Sequence, residues 1–199
     1  MGTHATATEI RCKGSPMSVD DVNLLVVFYS RGGETERLAV WIAEGAVQAG
    51  ASIKLRRARD IAPEERIAAD AAWQKARGRM HQEYAAPRPA DAEWADVIAF
   101  GTPAAPGVTS PELGAYLEWL AARGTLKARI GGAFASRLES SLGSAALADL
   151  QAALLREGMS VMATPLSRSG ESDGGYERSH DQGRCLVELA RAAKRARNF

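Results

Sequence analysis

The residues of this chain best placed to do chemistry are Ser30-Arg31-Gly32-Gly33-Glu34-Thr35, which set two hydroxyls and two adjacent glycines within six positions. They follow the apolar run Val22 to Tyr29 and precede a segment in which Leu38, Ala39, Ile42, Ala43, Ala46 and Val47 recur at helical spacing. A turn between a strand and a helix N-terminus collects unpaired backbone N–H groups and the positive end of the helix dipole, which favours an anion such as a phosphate. The same residues also suit a plain tight turn in which Gly32-Gly33 reverses the chain and Thr35 caps the helix. Local sequence supports both readings equally. A Walker loop is excluded because no Gly-Lys-Ser/Thr follows, and the dinucleotide GxGxxG pattern is absent.

Other reactive side chains are scattered. His4, His81 and His180 have no HxxxH or HxxE spacing to a carboxylate, so His81 and His180 are expected to be surface or capping residues, with His180 near enough in sequence to the last turns to reach a pocket. Ser140-Ser141 has no accompanying His and Asp pattern, which speaks against a serine hydrolase. Cys12 and Cys185 stand at opposite ends with no CxxC or zinc spacing, so free thiols and a reducing compartment are expected. Trp41 falls near the polar side of the first helix, where a subunit contact or an isolated exposed ring are the two readings. Trp73 and Tyr84 occur in a long charged stretch, where they either cover a site or pack locally on the sheet.

The elements that must carry these residues alternate. Strands are expected at Val22 to Tyr29, Ser52 to Leu55, Val97 to Gly101, Ile130 to Ala135 and Met159 to Pro165. Helices are expected from Thr35, around Glu112 to Ala122, from Ala145 to Arg156 and from Asp181 to Arg197. Arg56 to Trp94, interrupted by Pro63, Pro87 and Pro89, forms a long crossover with a helical patch at Glu64 to Tyr84. Five strands alternating with helices imply an α/β fold: a doubly wound, five-stranded parallel sheet with helices on both faces. Ligands then bind beyond the carboxyl ends of the strands.

With 25 basic and 24 acidic residues the net charge is +1, which gives no field to attract nucleic acid or an anionic membrane. No stretch approaches the ~20 apolar residues of a membrane span. Residues 1–20 are expected to be a disordered leader or tag, with Met17 as an alternative start, and residues 21–199 a single domain. A cytoplasmic location is expected.

Phe28-Tyr29-Ser30-Arg31-Gly32-Gly33-Glu34-Thr35-Glu36-Arg37-Leu38-Ala39 resembles the phosphate loop of flavodoxins, and Ala95 to Pro103, followed by Gly107 and Ser110, is similar to the second flavin loop of the WrbA-type NAD(P)H:quinone oxidoreductases. The likeness runs from about Val22 to Ala193. It implies a flavodoxin-like fold and an FMN-dependent enzyme that takes a hydride from NAD(P)H and passes two electrons to a quinone-like acceptor. Under it, Ser30, Gly33 and Thr35, with the backbone of Arg31, Gly32 and Glu34, hold the FMN phosphate; Pro103, Ala104, Ala105, Pro106 and Gly107 line the isoalloxazine edge; and Ser136 and Arg137 stand at the third loop. No dedicated catalytic acid or base is identifiable from this sequence, since the flavin carries the hard chemistry, and no metal site is expected. The family also implies a homodimer or homotetramer.

The family's second loop continues Thr-Arg-Phe-Gly after Gly-Thr-Pro, where this chain has Ala104-Ala105-Pro106-Gly107, so flavin contacts there are expected to come mainly from backbone. Two other readings keep the fold. One is a flavodoxin-like domain that has lost FMN and acts through protein contacts. The other is a one-electron flavodoxin carrier, against which the near-neutral charge argues.

Overall fold

The computed structural model describes residues 9–10, 21–104, 109–137, 140–162 and 174–197. Strand β2 (Asn23–Phe28) is apolar on both sides because both sides are covered. Leu24, Val26 and Phe28 enter one core, and Leu25 and Val27 enter the other. Around it lie β3 (Ser52–Arg57), β4 (Val97–Thr102), β5 (Ile130–Ala135) and β6 (Ser160–Met162), all parallel. The strand order β3-β2-β4-β5-β6 is the flavodoxin-like doubly wound order, so the five-stranded parallel sheet expected from the sequence is present.

A sixth strand, β1 (Glu9–Ile10), pairs antiparallel with Lys54 and Ile53 of β3 at the sheet edge. The N-terminal stretch expected to be a disordered leader therefore contributes two residues to the sheet, where an otherwise open edge offers unpaired backbone groups.

One face of the sheet carries α1 (Glu34–Gln48) and α7 (Gly174–Arg197), packed on each other. The other carries α4 (Pro89–Trp94), α5 (Pro111–Ala121) and α6 (Ser141–Arg156). The α1–α7 contact is close: a Cβ on Gly183 would stand 1.9 Å from the Ile42 carbonyl oxygen, so only glycine lets the two backbones meet there. Gln182 on the same turn is buried and donates to the Ala133 carbonyl of β5 at 2.8 Å, which ties the helix to the sheet.

Several boundaries differ from the sequence expectation, among them α6, which begins at Ser141 rather than Ala145. Strand β3 continues through Arg56 and Arg57, although two charged residues read as the start of a loop. The crossover folds as α2 (Glu64–Ala68), α3 (Ala71–Glu83) and α4 rather than one helical patch, with Asp70 capping α3 through the Trp73 N–H at 3.0 Å. Helix α7 begins seven residues earlier than Asp181, at Gly174. Among the described residues no helix is long and apolar enough to cross a membrane.

Candidate functional site

The ends of β2, β4 and β5 open into one cleft of about 420 Å³. It is lined by Ser30, Arg31, Gly32, Glu34 and Thr35 from the first loop, Pro103 and Ala104 from the second, Ser136 and Arg137 from the third, and Asp70, Ala72 and Trp73 from the start of α3. The structure thus brings three sequence-distant loops together at the switch in strand order between β2 and β4. Ala105, Pro106 and Gly107 lie outside the described residues.

The first loop is a closed turn. Ser30 Oγ accepts the Gly33 N–H at 3.0 Å, and Gly33 adopts φ +99°, a left-handed conformation that a side chain would strain. Gly33 is the N-cap of α1, and no side chain bonds into that cap. Thr35 is therefore not the cap, and the plain capped-turn reading does not hold. Instead its Oγ1 is buried and has no hydrogen-bond partner among the described residues. A buried hydroxyl left unsatisfied is costly, and it stands beside the first-turn N–H groups of a fifteen-residue helix, which have no carbonyl to bond in their own helix. A Cβ on Gly32 would meet nothing within 4 Å, so the loop presents open space there. An anion with several acceptor oxygens fits these donors.

The second and third loops are fixed to each other, since Ser136 Oγ accepts the Ala104 N–H at 3.0 Å. Thr102 Oγ1 accepts the Ser110 N–H at 3.0 Å, and Asp149 of α6 accepts from both the Thr109 N–H and hydroxyl, at 2.7 and 2.9 Å. The chain leaving β4 is thereby pinned where it returns to α5. Arg137 has φ +53°, and its guanidinium donates to the Glu34 carboxylate at 3.0 to 3.3 Å across the mouth of the cleft. On the other side Arg31 lies 3.8 Å over the Trp73 ring and 3.8 Å from Asp70.

A buried network behind the first loop was not legible in the sequence. Asp60 accepts from the Tyr29 hydroxyl, the Trp73 indole N–H and the Arg57 guanidinium at 2.9 to 3.2 Å, and Arg57 also donates to the Ser30 carbonyl at 2.9 Å. One carboxylate thus fixes the end of β2, the end of β3 and the wall of the cleft. Burial by itself would raise the Asp60 pKa, but hydrogen bonds and charge from Arg57, with the Trp73 and Tyr29 bonds, hold it below the usual carboxylate range. Burial, with Glu112 and Asp60 nearby, pushes the Tyr29 hydroxyl up, so it stays a donor. On the opposite face Asp91 pairs with Arg56 at 2.9 and 3.1 Å.

His81 is half-buried beside Asp60, 3.5 Å away, rather than a free surface residue. His180 packs on Tyr176 of α7 and does not line the cleft. Trp41 meets Tyr176 edge to face at 5.5 Å, so it belongs to the α1–α7 packing. Both readings of Trp73 hold, because its ring is buried in the network and also lines the cleft. Tyr84 packs edge to face on Phe28 at 5.2 Å, as local packing on the sheet. Cys185 is a free thiol, and Cys12 lies outside the described residues.

Residues 24–171 match the family described as NADPH-dependent FMN reductase. The chain belongs to that family. Among its relatives is an NAD(P)H dehydrogenase (quinone) of Paraburkholderia phymatum, 34% identical over 153 residues, covering 74% of this chain and 73% of the relative. Another, of Cupriavidus metallidurans, is 31% identical over 154 residues, covering 74% and 73%. The fold is similar to the flavodoxin, WrbA-like protein from Agrobacterium tumefaciens, at TM-score 0.57 and 23% identity over 86% of this chain and 98% of that one. Family membership accords with the resemblance carried by the first and second loops. The cleft of this member lies where those loops meet.

Proposed function

We propose that this chain is an FMN-dependent oxidoreductase that takes two electrons from NAD(P)H and delivers them to a quinone-like acceptor. The observation that carries the reading is the single cleft formed by all three loops, with the buried, unpartnered Thr35 hydroxyl at the helix α1 N-terminus. Bound there, FMN supplies the chemistry of accepting a hydride equivalent and releasing it as two electrons and a proton. The family match and the names of the relatives support the same reaction class.

The protein's own part is to bind, orient and exclude water. Ser30 keeps the loop closed by accepting the Gly33 N–H, while Thr35 and the other N–H groups of the loop and first helical turn would receive the phosphate. Pro103 and Ala104 would line the ring edge, and Ser136 and Arg137 would close the third side. The Asp60 network holds Trp73 as the wall and the Ser30 carbonyl as the floor of the loop. We further propose a cytoplasmic homodimer or homotetramer, on the family likeness alone.

The test is the visible spectrum of the purified full chain after incubation with FMN and desalting. Retained flavin bands, bleached anaerobically by NADH or NADPH and restored by a benzoquinone, are expected. A protein that neither retains FMN nor quenches its fluorescence on titration sinks the proposal. Retention with bleaching only by a partner reductase would make it a carrier.

A further inference from the structure

The Glu34–Arg137 ion pair is out of place as a simple surface bridge. Glu34 is the first residue of α1 and lines the same cleft as Thr35. A carboxylate at that position is attracted to the helix N-terminus and to the N–H groups that would bind a phosphate, so it is a built-in competitor for the anion site. Arg137 comes from a loop 103 residues away and takes three hydrogen bonds to it.

The backbone of Arg137 is held for this purpose. It adopts φ +53°, unusual for a residue with a side chain, and its carbonyl accepts from both the Ser140 N–H at 2.9 Å and the Ser140 hydroxyl at 2.7 Å. The guanidinium is therefore presented toward Glu34 from a pinned loop. Exposed ion pairs add little stability, so stability alone does not account for this arrangement.

We infer that Arg137 acts as a tether that draws the Glu34 carboxylate off the anion site, making it the residue that sets discrimination between a phosphorylated flavin and its dephosphorylated form. The inference rests on the FMN reading above. With the tether in place the pair is neutral and the first loop is open to a dianion. Without it, Glu34 both repels the phosphate and competes for its donors. Riboflavin, which has no phosphate, should lose only what the Arg137 side chain contributes to the wall of the cleft.

Dissociation constants for FMN and riboflavin, measured by flavin fluorescence quenching at low ionic strength on the full chain, test this. Arg137→Gln is expected to weaken FMN about ten-fold more than riboflavin, an excess that shrinks in high salt. Arg137→Lys keeps the charge and should retain most of the FMN affinity. The decisive variant is Glu34→Gln combined with Arg137→Gln, which should return FMN affinity to within about two-fold of the native chain once the competitor charge is gone. Loss in Arg137→Gln without recovery in the double variant would mean that Arg137 contacts the phosphate directly, and would overturn the tether. Equal effects on both flavins, or none, overturn it as well. A native chain that binds neither flavin instead sinks the parent reading, and because Arg137→Lys and Glu34→Gln alone leave the loop backbone intact, misfolding of one variant does not decide the matter.

Discussion

Thr35 and Asp60 show how single polar atoms organise the site. Thr35 Oγ1 is buried without a partner among the described residues, and a ligand oxygen would supply one. Replacing it with the isosteric Val should leave the ligand-free protein as stable or slightly more stable by chemical denaturation, while FMN affinity falls by about 10- to 100-fold, the worth of a hydrogen bond to a charged group. A loss of stability in Thr35→Val without loss of affinity would show the hydroxyl to be structural. The Thr35 position was legible in the sequence, as part of a loop between a strand and a helix. Its unpartnered state was not, because a capping role uses the same residue in the same place. Asp60 left no distinctive sequence signal: it is one acid in a charged crossover, and although Arg57 stands three residues before it, its partners Tyr29 and Trp73 become neighbours only through the sheet and α3.

At the scale of elements, the helical and strand periods located most of the structure, and the misplaced boundaries have a common cause. Strand β3 was expected to stop at Leu55 because Arg56 and Arg57 are charged, yet both are buried, pointing to opposite faces of the strand toward Asp91 and Asp60. Helix α7 starts early because its first turns pack on Trp41 through Tyr176, a contact between ends of the chain. The close approach of α7 to α1 gives a direct prediction. Gly183→Ala places a methyl group against the Ile42 carbonyl and should cost about 1–3 kcal/mol of stability, as overpacking does. Urea denaturation reads the loss. Gly183 does not line the cleft, so flavin affinity in the folded population should be unchanged.

Across the whole molecule, stability is tied to acid by groups whose folded pKa lies below the unfolded one. Asp60 and Asp91 feel burial, which would raise them, but Arg57 and Arg56 respectively outweigh it and hold both low. His81 is lowered by burial and by Arg59 and Arg57, against the pull of Asp60. In each case the unfolded chain binds more protons in the window between the two values, so stability is present above the unfolded value and is lost as pH falls through the folded one. For His81 the loss begins below about pH 6.5, and for the two aspartates below about pH 4. Melting temperature followed from pH 7 to pH 3 should therefore fall in two stages, with His81→Gln removing the upper one. A native profile flat from pH 7 to pH 5 would contradict the His81 assignment. Asp60→Asn should in addition cost about 3 kcal/mol at neutral pH, since it leaves Arg57 buried without a counter-charge.

The amino-acid sequence by itself determined the parallel α/β architecture and the place of the first loop, because apolar runs, helical spacing and a glycine turn are local properties that survive without tertiary contacts. Only the tertiary structure decided that the Thr35 hydroxyl is buried without a partner among the described residues, that Trp73 and Asp70 wall the cleft, and that Glu34 is held by Arg137. These depend on which distant side chains share a face once strand order is set. Charge pairing across 103 residues has no periodicity from which it can be read.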